Sequence, residues 1–184
     1  MGKLAMTGGT KLRTKGFPTW PVYGKEEAEG LQRVLESRQW GTLGPEAAKF
    51  TEKFSNYLGV KHGVAVTNGT VTMEVLLRAK GIGYGDEVLV PPYTFVATVS
   101  AVISVGATPI FIDIEEETFN MDADKIEAAI TPATKAVIPV HIGGRSCDMD
   151  KIMAVAKKHN LLVIEDAAHA HGSEWKGQKS GSVG

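Results

Sequence analysis

The chain has 184 residues, 43% of them hydrophobic, enough to bury a sizeable core in one domain or slightly more. Its 20 basic and 21 acidic residues leave a net charge of −1, which excludes the electrostatic footprint of a nucleic-acid or anionic-membrane binder. The single cysteine, Cys147, excludes an internal disulfide, and neither a signal peptide nor a bilayer-spanning apolar run is present, so the expected setting is the cytoplasm.

Residues 1–24 are rich in Gly, Thr and Pro and read as an irregular N-terminal arm, with 25–184 as the folded body. Helices are predicted over 25–38 and 45–58, where Ala28, Leu31, Val34 and Leu35, then Ala48, Phe50, Phe54 and Leu58, recur at helical spacing. Between them RQWGTLGP is a turn by composition. From residue 63 onward short apolar runs alternate with longer helical ones. Strands are predicted at 63–67, 87–90, 108–113, 135–140 and 161–165, and helices at 70–80, 94–105, 122–130 and 148–159. The strand runs are continuously hydrophobic, which is the pattern of strands buried on both faces. That predicts an α/β fold of three layers, α/β/α, around a mostly parallel sheet.

In open α/β sheets ligands bind beyond the carboxyl ends of the strands, so polar residues there are candidates for a site. LLVIEDAAHAHG, residues 161–172, runs from a buried strand directly into Glu165 and Asp166. By position alone, these carboxylates serve equally well as the polar end of a strand or as groups facing a ligand. TNGT, 67–70, opens a helix whose N-terminus offers free N–H groups and a hydroxyl at Gly69 and Thr70, the features that bind phosphate. Ordinary capping by Asn68 or Thr70 is the simpler reading of that feature. PPYTF supplies the rings of Tyr93 and Phe95, and VHIGG places His141 beside a glycine pair. Each alone reads as core or structural.

Other chemistries fail on spacing. GIGYGDE at 81–87 precedes a strand and lacks the dinucleotide fingerprint. Neither His141, Cys147, Asp148 and Asp150 nor Asp166, His169 and His171 has the spacing of a zinc or calcium site, so no metal is expected, and Asp148 is better explained as a helix N-cap. No G-x-S-x-G elbow occurs, and nothing marks Cys147 as a nucleophile.

Taken together, NGTVTMEVLLRAKGIGYGDEVLVPPYTFVATVSAV, GATPIFIDIEEETFNMD, TPATKAVIPVHIGGRSCDMDKI and VIEDAAHAHGSEWKGQKSGSVG resemble, in order, the DegT/DnrJ/EryC1/StrS family of sugar aminotransferases. The resemblance covers roughly 17–184. It implies the large domain of the fold type I enzymes that depend on pyridoxal 5'-phosphate. Asp166 would pair with the pyridine nitrogen, Gly69 and Thr70 would form the phosphate cup, Phe95 would stack on the ring, and His169 would stand near the phenolic oxygen. The loop Trp40 to Pro45 resembles a segment near the substrate, while His171 reads as structural.

The implied reaction transfers an amino group from glutamate or glutamine to a keto-sugar or keto-cyclitol, in a homodimer without nucleic-acid or membrane partners. In the family the Schiff-base lysine, the last two strands of the large sheet and a small C-terminal domain all come after GSVG, which here ends at Gly184. The chain is therefore expected to be an N-terminal portion, inactive and prone to associate by itself. Lys176 and Lys179, in the hairpin-like WKGQKSG, receive no catalytic role. Two other readings stay open on the sequence: a dehydratase using the same cofactor, and a non-catalytic fragment or partner subunit.

Overall fold

The structure is a computed structural model that describes residues 2–41 and 44–184. Its centre is a four-stranded parallel sheet in the order β2-β1-β3-β4, made of β1 (Glu87–Val90), β2 (Thr108–Phe111), β3 (Thr134–Val137) and β4 (Leu162–Val163). Pairing between the last two strands runs past these limits: the Ile164 N–H donates to the Val137 carbonyl, the Asp166 N–H to that of Pro139, and the His141 N–H to that of Asp166. The chain around Asp166 is therefore held in register by the sheet although it stands beyond the strand proper.

Side chains alternate across the sheet, as strand geometry requires. Val88 and Val90 of β1 and Ala136 of β3 join one buried cluster with Met73, Leu77, Ala101 and Val102. Those partners come from α3 (Gly69–Ala79) and α4 (Val96–Ser104). Leu89 and Val137 point the other way and join Ile126, Met149 and Ile152, from α5 (Ala123–Ile126) and α6 (Met149–His159). Two apolar layers on opposite faces of one sheet make the expected three-layer α/β/α architecture.

Helices α3 and α6 begin where a short polar side chain accepts the first free N–H groups. Asn68 caps α3 by accepting from the Val71 N–H at 3.0 Å, and Asp148 caps α6 by accepting from the Lys151 N–H at 3.1 Å. Helix α6 closes on Lys157, Lys158 and His159, cations that suit the negative end of its dipole. The segment WKGQKSG forms the predicted hairpin, β5 (Glu174–Trp175) against β6 (Gln178–Lys179).

One expectation changes. The strand predicted at 63–67 forms no ladder, and Val64 there is 80% exposed. A strand exists only by pairing, and among the described residues none pairs with 63–67. The chain parts into the compact units Met1–Gly44 and Pro45–Gly184. Helix α1 (Lys25–Ser37) buries no residue and groups with the arm, whereas α2 (Pro45–Leu58) opens the second unit. Thr42 and Leu43 of the loop Trp40 to Pro45 lie outside the described residues.

Candidate functional site

Within the unit Pro45–Gly184, the carboxyl ends of β1, β3 and β4 and the N-terminus of α3 border a cavity of about 570 Å³. Gly69, Thr70, Phe95, Asp166 and His169, scattered through the sequence, all line it.

Asp166 is fixed from both sides. Its backbone is tied into the sheet, and its Oδ2 accepts the Thr98 hydroxyl at 2.7 Å. Thr98 is fully buried on α4, and its oxygen lies 2.8 Å from the Thr94 hydroxyl. With its one proton given to the carboxylate, Thr98 accepts from Thr94, so the pair forms a short chain ending on Asp166. Among the described residues Oδ1 has only the Ala168 N–H, at 3.4 Å, and keeps acceptor capacity toward the cavity.

At the start of α3 the Asn68 side chain serves Val71, which leaves the N–H groups of Gly69 and Thr70 without an acceptor among the described residues. A Cβ on Gly69 would meet nothing within 4 Å, so the approach to these groups is open. Free N–H groups and the positive helix end make this a place for an anion. Phe95 precedes α4 in extended conformation and is 69% exposed on the cavity wall. Tyr93 turns away: its ring packs 5.7 Å from that of Phe119.

His169 Nδ1 accepts the Gly143 N–H at 3.3 Å. A neutral ring so placed carries its proton on Nε2 and can donate from there. Gly143 belongs to a loop braced by Asn120, whose Nδ2 donates to the carbonyls of Arg145 and Ser146 at 3.0 and 3.1 Å while its Oδ1 accepts the Ile142 N–H at 3.2 Å. His171 lines the cavity, with its ring edge-on to Phe54 at 5.9 Å.

Glu165 and His141 form a buried pair at 2.8 Å. His141 Nδ1 accepts the Cys147 N–H at 3.0 Å, so its proton lies on Nε2 and is donated to the Glu165 carboxylate. Burial raises the Glu165 pKa, but the His141 hydrogen bond and the N–H groups of Gly181, Gly184 and Val183 outweigh it and hold the carboxyl below the usual range. Burial, with the charges of Glu115 and Glu165, pushes the Cys147 thiol up to about 12, and Sγ donates to the Val140 carbonyl at 3.2 Å. Cys147 is a structural thiol, not a nucleophile.

Sequence reasoning overlooks Thr94, Thr98 and Asn120. The signal for Thr98 was present: a threonine four residues after another, in the otherwise apolar face of VATVSAVIS, needs a buried partner. Asn120 carries no comparable local signal, since its partners lie 22 to 26 residues away.

The chain belongs to the DegT/DnrJ/EryC1/StrS aminotransferase family, which residues 21–184 match. It is 52% identical over 158 residues to GDP-perosamine synthase of Caulobacter vibrioides, covering 86% of this chain and 43% of that protein. Over 185 residues it is 43% identical to a putative L-glutamine:3-amino-2,3-dideoxy-scyllo-inosose aminotransferase of Micromonospora echinospora, covering 99% of this chain and 44% of the relative. Among solved structures it is similar to NtdA of Bacillus subtilis with bound cofactor PMP, with a TM-score of 0.79 at 38% identity over 90% of this chain and 40% of that one. The α/β sheet is thus that of the fold type I aminotransferases, and the chain spans less than half the length of these relatives.

Proposed function

We propose that this protein holds pyridoxal 5'-phosphate, or its pyridoxamine form, in the cavity below Phe95, and serves the transfer of an amino group from glutamine or glutamate to a keto group of a sugar or cyclitol. The observation that carries the reading is Asp166, with one oxygen held by Thr98 and acceptor capacity left on the other, in the same cavity as the two unengaged N–H groups of α3. The donor set fits the group: N–H groups at a helix start for a phosphate, a carboxylate for a protonated ring nitrogen, an exposed phenyl face for the ring. The substrate class rests on the relatives' names, a GDP-sugar synthase and a glutamine-dependent cyclitol aminotransferase.

When bound, the pyridine ring supplies an electron sink for a breaking Cα–H bond, provided its nitrogen stays protonated. Asp166 keeps the proton there, and the Thr98–Thr94 pair keeps Asp166 oriented. His169, its tautomer set by the Gly143 N–H on Nδ1, would be left to donate from Nε2 to an oxygen substituent of the ring. Gly69 and Thr70, which line the cavity, would hold the phosphate with their free N–H groups. A homodimeric assembly, implied by the family, is part of the same proposal, and sedimentation of the purified protein tests it.

The deciding experiment is equilibrium dialysis of pyridoxal phosphate against the wild-type protein and Asp166→Ala. The wild type should bind, and the variant should bind at least about tenfold more weakly, the loss of a hydrogen bond between charged groups, while its circular dichroism is unchanged. In the whole enzyme the same substitution should remove most turnover. Absence of binding by the wild type would overturn the reading, and equal affinity of the variant would overturn the role of Asp166.

A further inference from the structure

The Glu165 side chain is 4% exposed and forms hydrogen bonds only as an acceptor. Oε2 accepts from His141 Nε2 at 2.8 Å and from the Gly181 N–H at 2.8 Å. Oε1 accepts from the N–H groups of Val183 at 2.7 Å and Gly184 at 2.6 Å. One carboxylate therefore gathers the backbone of GSVG onto the end of β4, immediately beside Asp166. Ser180 and Gly181 line the same cavity. Gly181 lies so close that a Cβ on it would stand 3.1 Å from that of Ala167. Ser180 is further locked by Ser146, Oγ to Oγ at 2.6 Å, and by its N–H to the Ser173 carbonyl at 3.0 Å.

We infer that Glu165 is a positioning residue for the cofactor site: by accepting from His141, Gly181, Val183 and Gly184 it holds the segment 181–184 at the end of β4, with Gly181 set against Ala167 in the cavity wall. The inference rests on the cofactor reading for the identity of the ligand, not for the geometry. His141 cannot relax to serve a different partner, because its Nδ1 is committed to the Cys147 N–H. The site thus demands an acceptor on both carboxylate oxygens. A glutamine has the same shape but turns one of them into a donor, which must then face either the His141 N–H or the N–H pair of Val183 and Gly184. An aspartate is shorter but keeps both acceptors.

This gives the test an order that simple packing would reverse. Residue-resolved amide exchange and pyridoxal-phosphate dialysis are measured on wild type, Glu165→Gln and Glu165→Asp. In Glu165→Gln the amides of Gly181, Val183 and Gly184 should exchange at least about tenfold faster and affinity should fall about tenfold, the scale of a buried donor left facing a donor, while the amides of α4 keep their protection. Glu165→Asp should lie between wild type and Gln in both readouts. If Asp is worse than Gln, Glu165 acts by filling space and the inference fails. It fails equally if protection is lost evenly over the whole sheet, or if neither readout moves in Gln. A wild type that shows protected 181–184 amides but binds no pyridoxal phosphate would sink the cofactor reading and leave the anchoring of the segment standing.

Discussion

Thr70 stands in a place where two explanations compete, helix capping and ligand binding. Capping of α3 is done by Asn68, whose Oδ1 takes the Val71 N–H, so the Thr70 hydroxyl is not needed to start the helix. Its loss should therefore leave helix stability nearly intact and act on ligand binding. In Thr70→Val, affinity for pyridoxal phosphate should fall by about 1.5 to 3 kcal/mol, the usual range for a hydrogen bond to a charged group. Unchanged affinity, read by the same dialysis, would assign Thr70 to the helix alone. Asp166 was a candidate from the sequence because it ends a buried strand of a parallel sheet, a place that by itself suits a strand end as well as a ligand-facing group. The family resemblance pointed to the ligand, along with Phe95 and His169. The restraints on these residues were not legible. Gly143 holding His169, Thr98 holding Asp166 and four donors on Glu165 are contacts made by the fold between distant segments, invisible to local spacing.

At the scale of elements, helices were read most securely where a capping residue coincides with an apolar stripe, as at Asn68 before α3 and Asp148 before α6. The strand at 87–90 was found because Val88, Leu89 and Val90 form an unbroken apolar run, buried on both faces of the sheet, whereas β2, at the edge of the sheet, keeps Thr108 and Phe111 exposed. The run at 63–67 has the same composition, yet lies outside any ladder, since composition records a strand's preference and not the presence of a neighbour. Helix α3 shows how an element positions the site. Leu77, fully buried between α3 and the sheet, fixes the helix whose other end carries Gly69 and Thr70. Leu77→Ala should cost about 2 to 5 kcal/mol by leaving a cavity in the core. Denaturant unfolding measures it; a cost within the range of a surface substitution would mean that α3 is not held through this layer.

For the whole molecule, the acid limb of stability should carry the mark of one buried group. Glu165 has its carboxyl held below the ordinary value of 4.5 by His141 and the amides of Gly181, Val183 and Gly184, against the opposing effect of burial. In the unfolded chain the group protonates near the ordinary value, in the folded chain only at lower pH. The stabilisation it provides is therefore complete above pH 4.5 and is lost as pH falls through the folded value. Asp113, Glu127 and Asp150 are also lowered, by Lys125, by Lys158 with His159, and by Lys176 with Trp175, but these pairs are exposed and screened, so they weigh little. Thermal unfolding of wild type and Glu165→Gln across the acid range separates the buried group from the rest, because both proteins share every other carboxylate. The wild type should be the more stable at neutral pH and the two midpoints should converge as pH drops below 4.5, where a protonated Glu165, like glutamine, offers a donor to a site built for acceptors. Parallel curves through the acid range would mean that the charge on Glu165 contributes nothing to holding the segment 181–184, and that the sheet alone keeps it in place.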